Sequence, residues 1–354
     1  MSDRSVGGVV RSAPAAGNAT SGATGVEQSV DLSCAEAAAR ALDDAMRADP
    51  SVVTLGEDIG RGGVFAQYRG LLAEFGAQRV IDTPISESTI MGAAVGMALA
   101  GLRPVVELRV VDFALCAMDE IVNQAAKARF MLGGQARVPL VIRLPGGIWS
   151  GAAAQHSQSL ESWFAHIPGL TVVMPATPLA HYALLRTAIE SADPVVFIEH
   201  KELWTLRGPV PLHDHSAIAH AGRIGVAHTA RSGSDLTVCT WSRGLQHCVL
   251  AAEQLEGRGV SVEVIDLQSL WPWDKQAVIE SAQRTGRLLV VHEAVQVAGF
   301  GAEVVATVAE AHPEVKLRRL GAPRIPVGYS PPLEAVSMLT ADRVVSAIEQ
   351  WLGL

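Results

Sequence analysis

A single acid stands at the mouth of a helix that otherwise carries no charge. The stretch runs Asp82-Thr-Pro-Ile-Ser-Glu-Ser-Thr-Ile-Met-Gly-Ala-Ala-Val-Gly-Met-Ala-Leu-Ala-Gly101. Glu87 falls in the first turn, where the helix dipole favours a negative charge. Ser86 or Ser88 is expected to cap that turn by accepting from a free backbone N–H. Ile85, Ile90 and Met91 flank the acid, and desolvation by such neighbours would raise its pKa and keep a proton available. A second group able to move protons is His156. It sits in the small-residue loop Pro145-Gly-Gly-Ile-Trp-Ser-Gly-Ala-Ala-Ala-Gln-His, after the apolar run Val138–Leu144. An imidazole exchanges protons near neutral pH, and loops hung on strand ends commonly carry active-site groups. Phe113 follows another apolar run and offers a ring face. Read from residues alone, each has a plainer alternative: a capping glutamate, a loop histidine on a backbone carbonyl, a core phenylalanine.

These groups need elements to hold them. Gly92, Gly96 and Ala100 recur every four residues and share one helix face, on which another backbone can come close. Ser33-x-x-Glu36 is a capping box that opens a helix carrying Ala35, Ala38, Leu42 and Met46, ending at Pro50. Strands are expected at 52–55, 80–82, 104–108, 138–144, 170–174 and 195–199, with helices at 118–129 and 179–189 between them. Such alternation predicts a parallel sheet. A second unit repeats it, with strands at 235–240, 260–265, 287–292 and 315–320 and a last helix near 342–351. The glycine-rich loop after Leu55 is expected at a strand's C-terminal end, where α/β sheets place ligands.

Composition narrows the setting. The 354 residues suggest two ordinary domains. A net charge of −8 and the lack of a basic cluster argue against nucleic acid. The longest apolar run, 89–102, is too short to span a bilayer. Cys34, Cys116, Cys239 and Cys248 form no Cys-x-x-Cys pair and read as reduced core residues in a cytoplasmic protein. Residues 1–28 are poor in large apolar side chains and are expected to be disordered. The organisation expected is a tail at 1–28, one domain at 29–205, a linker at 206–222 and a second domain at 223–354. The linker histidines His213, His215 and His220 lack the cysteine or acid that would complete a metal shell.

From about Val30 to the C-terminus the chain resembles the β subunits of the thiamine-diphosphate-dependent 2-oxo acid dehydrogenases. The resemblance rests on Asp82-Thr-Pro-Ile-Ser-Glu with Gly92-x-x-x-Gly96, Gly101-Leu-Arg-Pro, Asn123-Gln-Ala-Ala-Lys, Gln155-His-Ser-Gln, His166-Ile-Pro-Gly-Leu, Glu199-His-Lys, Val264-Ile-Asp-Leu and Gly299-Phe-Gly-Ala-Glu. It implies two doubly wound α/β domains, an N-terminal pyrimidine-binding thiamine-diphosphate fold and a C-terminal transketolase-like domain. It implies that Glu87 activates the cofactor, that Phe113 stacks on its pyrimidine beside Ile85, and that His156 is the β-subunit active-site histidine. Leu140, Ala188, Ile189, Ser191 and Asp193 match a potassium-binding loop of some members, built mostly from backbone carbonyls. The chain departs from the family at Val110, where an aromatic is frequent, at Ser191, where an acid is, and at Gln268 and Trp241-Ser242.

The family's diphosphate and Mg²⁺ motif, Gly-Asp-Gly followed by Asn, is absent from this sequence. The resemblance therefore implies a half-site, completed by an α subunit in an α₂β₂ heterotetramer that also holds the Mg²⁺ and serves a lipoyl acyltransferase core. A 2-oxo acid is the expected substrate, with pyruvate ahead of branched-chain acids. The alternatives are an acetoin dehydrogenase β subunit and, from another class, a non-catalytic doubly wound scaffold.

Overall fold

The structure, a computed structural model, describes residues 29–63 and 66–354. The tail expected at 1–28 lies outside the described residues. The capping box is formed as read. Glu36 N donates to Ser33 Oγ (3.1 Å) and Ser33 N donates to Glu36 Oε2 (2.7 Å). The helix it opens, Cys34–Ala48, buries Ala37, Ala38, Ala41, Leu42, Ala45 and Met46. That face packs on the helix Pro178–Glu190.

Two sheets organise the chain. The first has seven strands in the order Ser269–Trp271, Thr171–Val173, Val195–His200, Val141–Gly146, Arg103–Glu107, Val52–Gly56, Val80–Asp82. All neighbours are parallel except the Ser269–Trp271 edge. Both faces of a parallel sheet are covered, and accordingly every residue of Val52–Gly56, Val141–Gly146 and Val195–His200 is buried. The second sheet has five strands, ordered Lys316–Ala322, Arg287–Val295, Leu236–Thr240, Val262–Asp266, His228–Arg231. The two units are joined tightly. The edge strand Ser269–Trp271 comes from the second unit, and one apolar cluster runs from Leu55 to Val315 through both.

Four expectations change. The helix foreseen at 118–129 is preceded by a 3₁₀ segment, Val111–Ala117, and winds as a wide π turn over Glu120–Ala125 before becoming α-helical at Ala126–Met131. Periodicity alone does not separate these windings. The segment is locked from the side: a side chain at Gly169 would strike the Ala126 carbonyl, and Lys127 Nζ donates to Pro168 O (2.6 Å). Cys116 is exposed, because nothing among the described residues covers that face of the 3₁₀ segment; the other three cysteines are buried. The stretch foreseen as a linker is structured. Arg207–Val210 pairs with Val30–Ser33, and His215–Ala221 packs on Pro178–Glu190. Finally, Ser86 occupies the cap position before Glu87–Leu99, but its hydroxyl donates to Thr89 Oγ1 (2.8 Å) and caps no backbone N–H. No helix among the described residues is long and apolar enough to cross a membrane.

One buried charged network braces the C-terminal edge of the first sheet. Arg143, 1 % exposed, makes a two-pronged bond to Glu199 on the adjacent strand (2.8 and 2.9 Å) and donates to Tyr68 Oη (2.9 Å). Gln67 donates to the Glu107 carboxylate (3.1 Å), whose pKa is raised by burial. The network ties Gln67 and Tyr68 to three strands. Removing one partner strands the others without solvent. Arg143→Met should therefore cost about 3–5 kcal/mol, seen as a fall in the urea midpoint. Adding Glu199→Leu should recover part of it, since one unpaired charge then disappears. A near-neutral single variant would show that the network is not bracing the fold.

Candidate active site

Parallel strands send all their C-terminal ends to one edge, and a crevice opens where neighbouring strands lead away in opposite directions. Here Val52–Gly56 leads toward Val80–Asp82, while Arg103–Glu107 leads toward Val141–Gly146 on the other side. A cavity of about 580 Å³ lies at that point. Its walls come from four strand ends: Glu57 and Asp58; Thr83 and Ile85; Arg109, Val110 and Phe113; and Trp149 and His156. Lys201, just past the end of Val195–His200, completes it. Arg109 Nη1 bonds Asp58 Oδ2 (3.2 Å) across the crevice, and Asp82 Oδ1 accepts from Gly60 N (2.6 Å), so the glycine-rich loop is fastened at two points.

Phe113 and His156, 43 positions apart in sequence, meet here. Their ring centres are 5.2 Å apart at 79°, an edge-to-face contact. Phe113 is half-buried and His156 exposed. Glu87 begins the helix Glu87–Leu99 and is half-exposed. It lies close enough to Glu57 to act on it: burial first, and then the Glu87 charge, push the Glu57 carboxyl above its usual range. The apolar enclosure expected around Glu87 is only half present. Ile90 and Met91 are buried, but Ile85 is 79 % exposed. The outer face of the same helix is uncovered too. Gly92 and Gly96 are exposed, and a side chain placed at Gly96 would touch nothing within 4 Å. Val110, the departure from the usual aromatic, is buried and lines the crevice.

The residues matched to a potassium loop gather elsewhere, around the C-terminus of Pro178–Glu190. Arg103 Nη1 donates to both the Ile189 and the Ser191 carbonyls (3.0 Å each). Asp193 Oδ2 pairs with Arg129 (2.6 Å), Ala188 O accepts from Ser191 N, and Leu140 O accepts from Val195 N. Two of the carbonyls thus already face a cation that belongs to the chain.

Two residues, one lining the crevice and one behind it, were not singled out from sequence. Lys201 is 4 % exposed, and burial pushes its ammonium pKa down. Its Nζ donates to the His156 carbonyl oxygen. Glu293, from the second unit, accepts from His200 Nε2 (3.0 Å) and Ile148 N (2.9 Å), and the His200 partnership holds its carboxyl below the usual range against burial. The one available signal was three polar residues, Glu199-His-Lys, closing an apolar strand. Glu293 had none, because it arrives from another domain.

Comparison with known proteins agrees with this geometry. Residues 31–205 match the family described as "Transketolase, pyrimidine binding domain", and 225–344 match "Transketolase, C-terminal domain". The chain is 39 % identical to the 2-oxoisovalerate dehydrogenase subunit beta of Bacillus subtilis, over 88 % of this chain and 95 % of that one. It is 41 % identical to the acetoin:2,6-dichlorophenolindophenol oxidoreductase subunit beta of Cupriavidus necator, over 87 % and 93 %. Pyruvate dehydrogenase β subunits match at similar levels. The fold matches a solved split-gene transketolase, described as an inactive β4 tetramer, with a TM-score of 0.76 at 23 % identity, covering 91 % of this chain and 99 % of that one. With strand order, crevice and sequence in agreement over nearly the whole described chain, it belongs to the family of the β subunits of thiamine-diphosphate-dependent 2-oxo acid dehydrogenases.

Proposed function

We propose that this chain is the β half of an α₂β₂ enzyme that oxidatively decarboxylates a 2-oxo acid and passes the acyl group to lipoamide on an acyltransferase core, in the cytoplasm. The observation that carries the reading is the crevice itself: Glu57, Phe113 and His156 line it at the switch point of a parallel sheet, and Glu87 lies close enough behind it to act on Glu57. The same crevice is open on one side, with Ile85 and the glycine face of Glu87–Leu99 uncovered. That combination fits a site shared with a second subunit better than it fits a scaffold.

The crevice suits the pyrimidine end of thiamine diphosphate. Thr83 Oγ1 is buried at its edge with no partner among the described residues, a polar atom still to be satisfied. When bound, the cofactor supplies the nucleophilic carbon that attacks a 2-oxo group. Glu87 would hold a proton against its pyrimidine nitrogen. Phe113 would bound the ring face, beside Ile85. His156, exposed at the mouth, would exchange a proton with the substrate or assist transfer to the lipoyl group. Mg²⁺ and the diphosphate fall to the α subunit, since this chain carries no motif for them. Pyruvate is taken first, ahead of the branched-chain 2-oxo acids, since pyruvate dehydrogenase β subunits are among the relatives. A second reading, an acetoin dehydrogenase β subunit, is favoured by the 41 % identity to the Cupriavidus protein. Assays of the assembled enzyme with pyruvate, branched-chain 2-oxo acids and acetoin decide between them.

A potassium ion at Leu140, Ala188, Ile189, Ser191 and Asp193 would have to share the Ile189 and Ser191 carbonyls with Arg103. Each carbonyl keeps a second lone pair, so the loop retains capacity to bind it. A melting temperature higher in KCl than in NaCl or LiCl at equal ionic strength is the expected sign, and equal values would remove the ion.

Purified alone, the chain should show no stoichiometric binding of thiamine diphosphate with Mg²⁺ by calorimetry, and no decarboxylation of pyruvate. Tight binding by the lone chain would overturn the shared-site reading. Within the assembled enzyme, Glu87→Gln should abolish turnover while leaving assembly and cofactor binding largely intact, because an amide cannot donate that proton. The same substitution removes a negative neighbour, so the Glu57 carboxyl should titrate lower in carbon-detected NMR. His156→Ala should damage lipoamide-dependent activity more than decarboxylation read with an artificial electron acceptor. Equal and unchanged rates in both assays would make His156 structural.

A further inference from the structure

We infer that Lys201 is a positioning residue for His156: its buried ammonium holds the His156 backbone carbonyl and so fixes the imidazole against the edge of Phe113. The kinetic part of this inference rests on the function proposed above; the structural part does not.

The loop that carries His156 has little else to hold it. Ile148 is buried at its base, but Gly151 and Ala152-Ala-Ala-Gln-His supply almost no apolar side chain to bury, and His156 itself is exposed. A segment with so few packed side chains keeps one conformation only through polar fastenings. Gly147 N donates to Gln158 O (3.1 Å) and closes the base. Ile148 N and Ser159 Oγ both reach Glu293 Oε1 (2.9 and 3.4 Å), which pins the two ends. Gly151 N donates to Glu334 Oε1 (2.7 Å) on the near side. On the far side His156 N reaches only Ala153 O, at 3.3 Å within the loop itself, while the His156 carbonyl is held by Lys201.

Lys201 is built for that task. It stands immediately after the strand Val195–His200, on whose end Glu199 is anchored by Arg143 and His200 by Glu293. Three consecutive side chains thus bind the sheet, the second domain and the loop. A bond from an ammonium to a carbonyl is stronger than one between neutral groups. Among the described residues Lys201 makes no ion pair; Asp112, Glu293 and Glu202 act on it only from a distance. The hydrogen bond to His156 is therefore the main local use of a charge that is costly to bury.

The test compares Lys201→Met and Lys201→Arg with the parent chain by hydrogen–deuterium exchange and kinetics. In Lys201→Met, amide exchange over residues 147–159 should rise about ten-fold, with the strands of the first sheet unchanged. In the assembled enzyme, kcat for the lipoamide-dependent reaction should fall about 10- to 100-fold, with the KM for the 2-oxo acid within about two-fold. Lys201→Arg should recover most of both. Unchanged loop exchange, or a rise spread over the whole domain, overturns the inference, as does a KM effect without a kcat effect. If the parent enzyme acts on neither 2-oxo acids nor acetoin, the proposed function fails, and the exchange measurement still decides the role of Lys201.

Discussion

Six strands of the first sheet run the same way, and the site depends on that constraint. Parallel strands cannot be joined by tight turns, so each must cross over and return. Every strand then delivers its following loop to the same edge. Glu57, Thr83, Arg109, Phe113, Trp149, His156 and Lys201 lie far apart in sequence, yet share one crevice for this reason alone. Polar groups at that edge are affordable because the strands below them are buried on both faces.

The second domain does more than sit beside the first. It adds an edge strand to the first sheet and shares its apolar core. It also supplies Glu293 and Glu334, which hold the loop bearing His156. Trp241 Nε1 donates to the buried Glu161 (3.2 Å), and Arg243 pairs with Glu202 (3.2 Å), on the same seam. A domain with none of the crevice-lining side chains thus decides where one of them points.

The helix Glu87–Leu99 shows a different kind of incompleteness. Its inner face is packed, with Ile90, Met91, Ala94, Val95 and Ala98 buried. Its outer face, Gly92 and Gly96 with the half-exposed Leu99, is small and apolar; a side chain at Gly92 would come only to the edge of Glu120, and one at Gly96 would meet nothing among the described residues. Phe130 and Met131, at the end of a helix in the same region of the fold, are 88 % and 74 % exposed. Apolar surface of this kind on a folded chain marks a face meant to be covered.

Much of the molecule was legible in the sequence, where local physics decides. The capping box at Ser33 and Glu36, the apolar-rich parallel strands and the place of Glu87 at a helix start depend on near neighbours in the chain. Glu87, Phe113 and His156 were readable as candidates because their motifs are local. What the tertiary structure decided were the contacts between distant segments. The pairing of Arg207–Val210 with Val30–Ser33 made structure of an expected linker. The π turn at Glu120–Ala125 came from packing that periodicity does not encode. Ser86 turned to Thr89 rather than to the backbone. Glu293 and Lys201 gained their roles only when the fold brought them to the loop. A residue's chemistry is fixed by its type, but its partners are fixed by which strands lie side by side, and that order is set by the packing of the whole chain.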